Sequence, residues 1–111
     1  MKTEQKTGLR TSLLRTAAEA GLWVIPRQRC LELLAACYVF GGGCEAFVFN
    51  ERLSEAVQFA QRMIGVEGGE HPSPDDVEEL KRLIGECGDF SKPGKPDWAV
   101  ALAKEYKFEL R

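Results

Sequence analysis

Glycine punctuates this chain in a way that leaves few architectures open. It stands at Gly21, in the run Gly41-Gly42-Gly43, at Gly65 and at Gly88. The stretches between these points carry apolar residues three and four apart, the period of a helix with one buried face. Glycine readily ends a helix in the left-handed conformation, and three in a row cannot sustain one. The pattern predicts an all-α fold, a compact orthogonal bundle of about five short helices joined by short connections.

The first helix is expected from about Ser12 to Ala20, capped by Thr11 or Ser12. Leu13, Leu14, Ala17 and Ala18 would face inward, with Arg15 and Glu19 paired outside at i,i+4 spacing. Leu22-Trp23-Val24-Ile25 follows, an apolar connector expected to pack on the core. Pro26 opens a second helix to about Phe40, with Cys30, Leu33, Leu34, Cys37 and Tyr38 inward. Leu31, Ala35 and Val39 widen its apolar surface, which makes it the candidate central helix. Cys44 to Phe49 reads as a minor extended segment or an extra helical turn; a strand there has only Leu22 to Ile25 to pair with.

Asn50 caps a third helix to about Ile64, with Leu53, Ala56, Val57, Ala60 and Ile64 inward and Gly65 as its stop. Ser73-Pro74-Asp75-Asp76 is the strongest helix start in the chain, joining a serine cap, a first-turn proline and acids that suit the helix dipole. Val77, Leu80, Leu83, Ile84 and Cys87 carry the inward face of this fourth helix. Phe90 to Pro96 reads as a linker, after which Asp97 caps a fifth helix toward Tyr106 with Trp98, Ala101, Leu102 and Tyr106 inward. Residues 1–10 read as a flexible tail ahead of a single helical domain over residues 11–111.

Chemistry is scarce. There is no P-loop, since Gly41-Gly42-Gly43 is followed by Cys44 and Glu45, and no G-x-S-x-G or H-E-x-x-H sequence is present. His71 is the only histidine and lies in a loop with no partner beside it in sequence. Cys30, Cys37 and Cys44 recur every seven residues, which is two helical turns; Cys30 and Cys37 therefore share a face as buried thiols. No Cys-x-x-Cys pair exists, so neither a metal nor a cofactor is expected, and the chain reads as a non-enzyme. No stretch reaches the roughly 18 apolar residues of a membrane span, and Met1 to Arg10 lacks the apolar core of a signal peptide, so no membrane and a cytoplasmic setting are expected.

Two surfaces remain as candidates for binding. Glu67, Glu70, Asp75, Asp76, Glu78 and Glu79 concentrate negative charge before and within the fourth helix. They suit either a solvated helix start or contact with a basic partner. Trp23 and Trp98 lie in or beside connectors, where aromatic side chains serve as binding anchors. Glu70, Asp75, Asp76, Glu78, Glu79, Trp23 and Trp98 thus form the expected protein-binding set. The expected function is a protein-binding module, an inhibitor or adaptor of a larger complex; a phage or mobile-element inhibitor of host defence is its sharpest form, and a homodimer is a further option.

The alternative is nucleic acid. Thr16 to Leu34 resembles a helix-turn-helix, with Ala17 and Gly21 four apart and Arg27, Gln28 and Arg29 at the start of the following helix, where base-reading side chains project. The chain departs from that pattern in its longer, apolar turn through Trp23, Val24 and Ile25, and in Arg27, where the motif holds a buried aliphatic residue. With 15 basic and 17 acidic residues, a net charge of −2, the bulk balance also works against phosphate contact.

Overall fold

The computed structural model describes residues 13–41, 50–65, 72–89 and 91–110. Five helices account for most of them: α1 (residues 13–19), α2 (Arg27–Phe40), α3 (Glu51–Ile64), α4 (Pro74–Cys87) and α5 (Asp97–Tyr106). Between α4 and α5, β1 (Gly88–Asp89) pairs antiparallel with β2 (Lys92–Pro93), Gly88 opposite Pro93 and Asp89 opposite Lys92. This is the mostly-α small bundle expected from the glycine punctuation. No helix among the described residues is long and apolar enough to cross a membrane.

The helix ends follow local chemistry. Asn50 Oδ1 accepts the Leu53 amide at 3.1 Å and Ser73 Oγ accepts the Asp76 amide at 3.2 Å, each satisfying a first-turn donor that the helix itself leaves unpaired. Gly21 and Gly65 end α1 and α3 at φ of 74° and 82°, a conformation costly for a residue with a Cβ. Two starts differ from expectation. Pro26 and Pro96 hold the cap positions themselves, with ψ of 145° and 156°, and supply no side-chain cap. Pro26 therefore precedes its helix, and Asp97 is the first residue of α5 instead of its cap.

The core sits around α2, which packs against α3, α4 and α5. Leu33, Leu53, Leu83 and Leu102, one from each of these four helices, are fully buried, joined by Cys30 and Cys87. Leu14 and Ala17 add α1 to the cluster. In α3 every expected inward residue is buried, and Phe59 and Glu55 join them.

Elsewhere the faces differ. In α2, Leu31, Ala35, Ala36, Val39 and Phe40 are buried with Cys30 and Leu33, while Leu34 and Cys37 are half-buried and Tyr38 is exposed. A helix covered on several sides has no single inward stripe, so periodicity alone assigned the wrong edge. Leu13 is exposed, as is Ala101, whose place in the core is taken by Ala99. Glu19 reaches Arg62 of α3 at 3.6 Å in place of the expected pairing with Arg15. In α4 only Leu83 and Cys87 of the expected face are buried; Val77, Leu80 and Ile84 are half-buried. The linker after α4 is the β1–β2 hairpin, tightened by Asp89 accepting from Ser91 N at 2.7 Å and Ser91 Oγ at 2.8 Å. Gly94 donates to the Cys87 carbonyl, and a Cβ there would lie 3.2 Å from that oxygen, so a side chain at this close return would make the backbone give by a few tenths of an ångström. Residues 22–25 form no strand. The expected tail, the 44–49 segment, Cys44, Glu67, Glu70 and His71 lie outside the described residues.

Leu53→Ala should lower unfolding free energy by about 2–5 kcal/mol, whereas Leu13→Ala should change it by no more than about 0.5 kcal/mol. Urea denaturation of both variants checks this; comparable losses would place Leu13 in the core.

Candidate functional site

The acidic and basic residues singled out from sequence as rival binding surfaces lie against each other. The first turns of α2 and α4 converge on a cleft of about 370 Å³ lined by Arg27, Gln28, Leu31, Asp75, Asp76 and Glu79. Arg27 donates to Asp76 Oδ1 across 49 residues of sequence. The Asp76 side chain is only 10% exposed and that of Arg27 is 52% exposed. The buried acid therefore has its counter-ion on the solvent side, where water still weakens the attraction. Arg82 foremost, and Gln28 after it, hold the Glu79 carboxyl below the ordinary glutamate range.

The remaining charges extend this network. Arg29 reaches Glu105 of α5 at 3.2 Å and Glu32 at 3.9 Å. Arg82 holds Glu79 on one side and Glu86 Oε1, at 2.5 Å, on the other. Glu86 Oε2 accepts from Trp98 Nε1 at 2.7 Å, so half-buried Trp98 is anchored to α4. Glu78 lies 3.9 Å from Lys81, and Asp75 is exposed. Of the expected protein-binding acids, Asp76, Glu78 and Glu79 have cationic partners within the chain, and Arg27 and Arg29 of the expected DNA-reading set have carboxylate partners.

Trp23 stands apart from this network. Leu22, Trp23 and Val24 are 61%, 45% and 58% exposed, and only Ile25 packs against the core. The connector had been expected to bury itself. Its backbone explains the outcome. Gly21 N donates to the Ala18 carbonyl at 3.0 Å and Leu22 N to the Ala17 carbonyl at 2.7 Å, closing α1 with a Schellman-type turn. Val24 N then bonds the Leu22 carbonyl at 3.1 Å, and Pro26 fixes the entry to α2. Four residues held at both ends this way turn three large apolar side chains to the surface. The short span between Gly21 and Pro26 was the signal available in sequence. Tyr38, 66% exposed beside a groove with Leu34, Cys37, Gln61, Leu80 and Ile84, is a second apolar feature that periodicity missed.

Among the described residues no group of three histidines, cysteines or carboxylates could hold a metal ion. Burial pushes the Cys30 thiol up to about 12, away from the thiolate form a nucleophile needs, and its Sγ lies 3.5 Å from the Ile25 carbonyl. Burial also raises Cys87, with Glu86 adding to the effect. Comparison with protein-family models, curated proteins and solved structures finds nothing that matches this chain.

Two outcomes test this geometry. Arg27→Ala and Asp76→Asn should each cost about 1 kcal/mol, and the double variant little more than either single one; additive losses would mean the pair contributes nothing. Cys30 keeps its proton when folded but loses it above about pH 8.5 when unfolded. Its contribution is thus intact below that pH and falls as the pH rises toward 12. Denaturation from pH ~8 to ~10.5 should show the unsubstituted chain losing more stability than Cys30→Ala, and equal losses would remove this linkage.

Proposed function

We propose that this chain is a protein-binding module, an inhibitor or adaptor that anchors itself to a larger cytoplasmic partner through the Leu22-Trp23-Val24 connector. The observation that carries the proposal is the exposure of those three consecutive side chains on a backbone closed at both ends. With roughly half of each side chain accessible, the tip offers on the order of 300 Å² of apolar surface. A standard interface takes about 800 Å² from each partner. The tip alone is too small for a stable symmetric dimer and has the size of a central anchor inserted into a pocket. Its fixed backbone supports the same reading, because a preformed tip loses little conformational freedom on binding.

The acidic face contributes less to this proposal than its sequence density suggested. A carboxylate already paired within the chain must give up that partner, or share it, to meet another. The same argument weighs against the helix-turn-helix alternative, since Arg27 and Arg29 would have to leave Asp76 and Glu105 to reach phosphates or bases.

The deciding experiment is affinity capture from host lysate, with and without nuclease, comparing the unsubstituted chain with Leu22→Asp/Trp23→Ala/Val24→Asp. The expected result is a stoichiometric protein partner that survives nuclease and is lost with the triple variant, whose helical circular dichroism is unchanged. Capture that ignores the triple substitution overturns the connector as the anchor. Recovery of nucleic acid that is lost with Arg27→Ala/Arg29→Ala supports the DNA reading instead.

A further inference from the structure

The cations of this chain divide unevenly. Arg27, Arg29, Arg62 and Arg82 each sit in a salt bridge. Arg52 lies 5.1 Å from the Tyr106 ring centroid and donates to the Glu105 carbonyl at 3.0 Å. Lys92, Lys95, Lys104 and Lys107 are all exposed, and none makes a salt bridge among the described residues. Among the described residues Arg15, on α1, is likewise exposed outside any salt bridge, while Lys95 and Lys104 stand together at one cleft beside α5.

That place has a shape. At Lys107 the chain turns back through a left-handed residue, φ 56° and ψ 56°, and Phe108 N bonds the Ala103 carbonyl at 3.1 Å. The turn lays Phe108 and Leu110 beside Val100 and Ala103 as the half-buried floor of a cleft of about 390 Å³, with Lys95 and Lys104 on its rim. The helix dipole accounts for lysines in and after the last turn of α5. It does not account for Lys95, two residues before Asp97, at the end where the dipole disfavours a cation.

From Asp97 to Lys104 the helix rises about 10 Å, the length of about three extended residues. We infer that this cleft binds an extended acidic–apolar peptide segment of a protein partner, with two carboxylates three or four residues apart and a bulky apolar side chain between them. The carboxylates meet Lys95 and Lys104, and the apolar side chain covers Phe108 and Leu110. Glu109 also lies on the rim and repels excess negative charge, which favours a two-acid segment over a polyanion. The inference is independent of the connector, since it concerns a different surface with its own ligand chemistry.

Fluorescence anisotropy tests it with the full chain and three labelled probes: a peptide whose two glutamates flank a leucine–phenylalanine pair, the same peptide with serines for the apolar pair, and one with lysines for the glutamates. Only the first should bind, and Lys95→Glu/Lys104→Glu should weaken it about tenfold or more with helical circular dichroism unchanged. Chemical-shift changes should centre on Val100 and Phe108. Equal binding of the serine peptide, or binding indifferent to the lysine substitutions, overturns the inference. So does a chain that ignores the peptides yet sediments with phosphatidylserine vesicles through the same lysines.

Discussion

The structure depends on α2 being covered on several sides at once. Its buried residues, from Cys30 and Leu31 through Leu33, Ala35 and Ala36 to Val39 and Phe40, occur in nearly every turn and point in more than one direction. Such a helix cannot remain at a surface, because burying a large aliphatic side chain is worth about 1.5–3 kcal/mol and several would be left wet. α3, α4 and α5 each meet this demand with a fully buried leucine. Their own outer faces are free to be polar because α2, beyond its polar first turn, carries apolar residues on more than one side. The division between one apolar helix and several amphipathic ones is what makes the bundle closed.

The same arrangement settles the electrostatics. Packing α4 against α2 brings their first turns together, and the polar residues that the two helices carry there meet. Arg27 and Asp76 compensate each other, and Arg82 compensates Glu79 and ties it to Glu86. Charges that look like a binding surface in sequence become part of the joint between helices. What is left over is chemically simpler: an apolar tip at one connector and lysines bordering an apolar floor at α5.

Legibility in the sequence follows how local each cause is. Helix ends were readable because a cap acts within four residues, as at Asn50, Ser73, Gly21 and Gly65. The inward face of α3 was readable because that helix has one apolar stripe and its other side is polar. α2 defeated the same method, since apolar residues on more than one side give the period nothing to select. The connector failed for another reason. Apolar residues are favoured inside, but much of any protein surface is apolar too, so Leu22, Trp23 and Val24 could not be placed by type alone. The charged candidates were visible individually, but a contact across 49 residues leaves no local trace.

Asn50 joins two of these levels. Its side-chain oxygen accepts the Leu53 amide at the start of α3, and its side-chain nitrogen donates to the Tyr106 and Lys107 carbonyls at the end of α5. One amide group therefore closes two helices at opposite polarity. Aspartate keeps the acceptor but turns a negative charge toward two carbonyls, serine is too short to span both ends, and glutamine moves the group by a methylene. The position has no near synonym among the twenty residues. Distant kin of this chain could exchange much of the aliphatic core by compensating changes of volume, yet this amide would be expected to persist, a fixed letter by which descent could be read where similarity elsewhere has worn away.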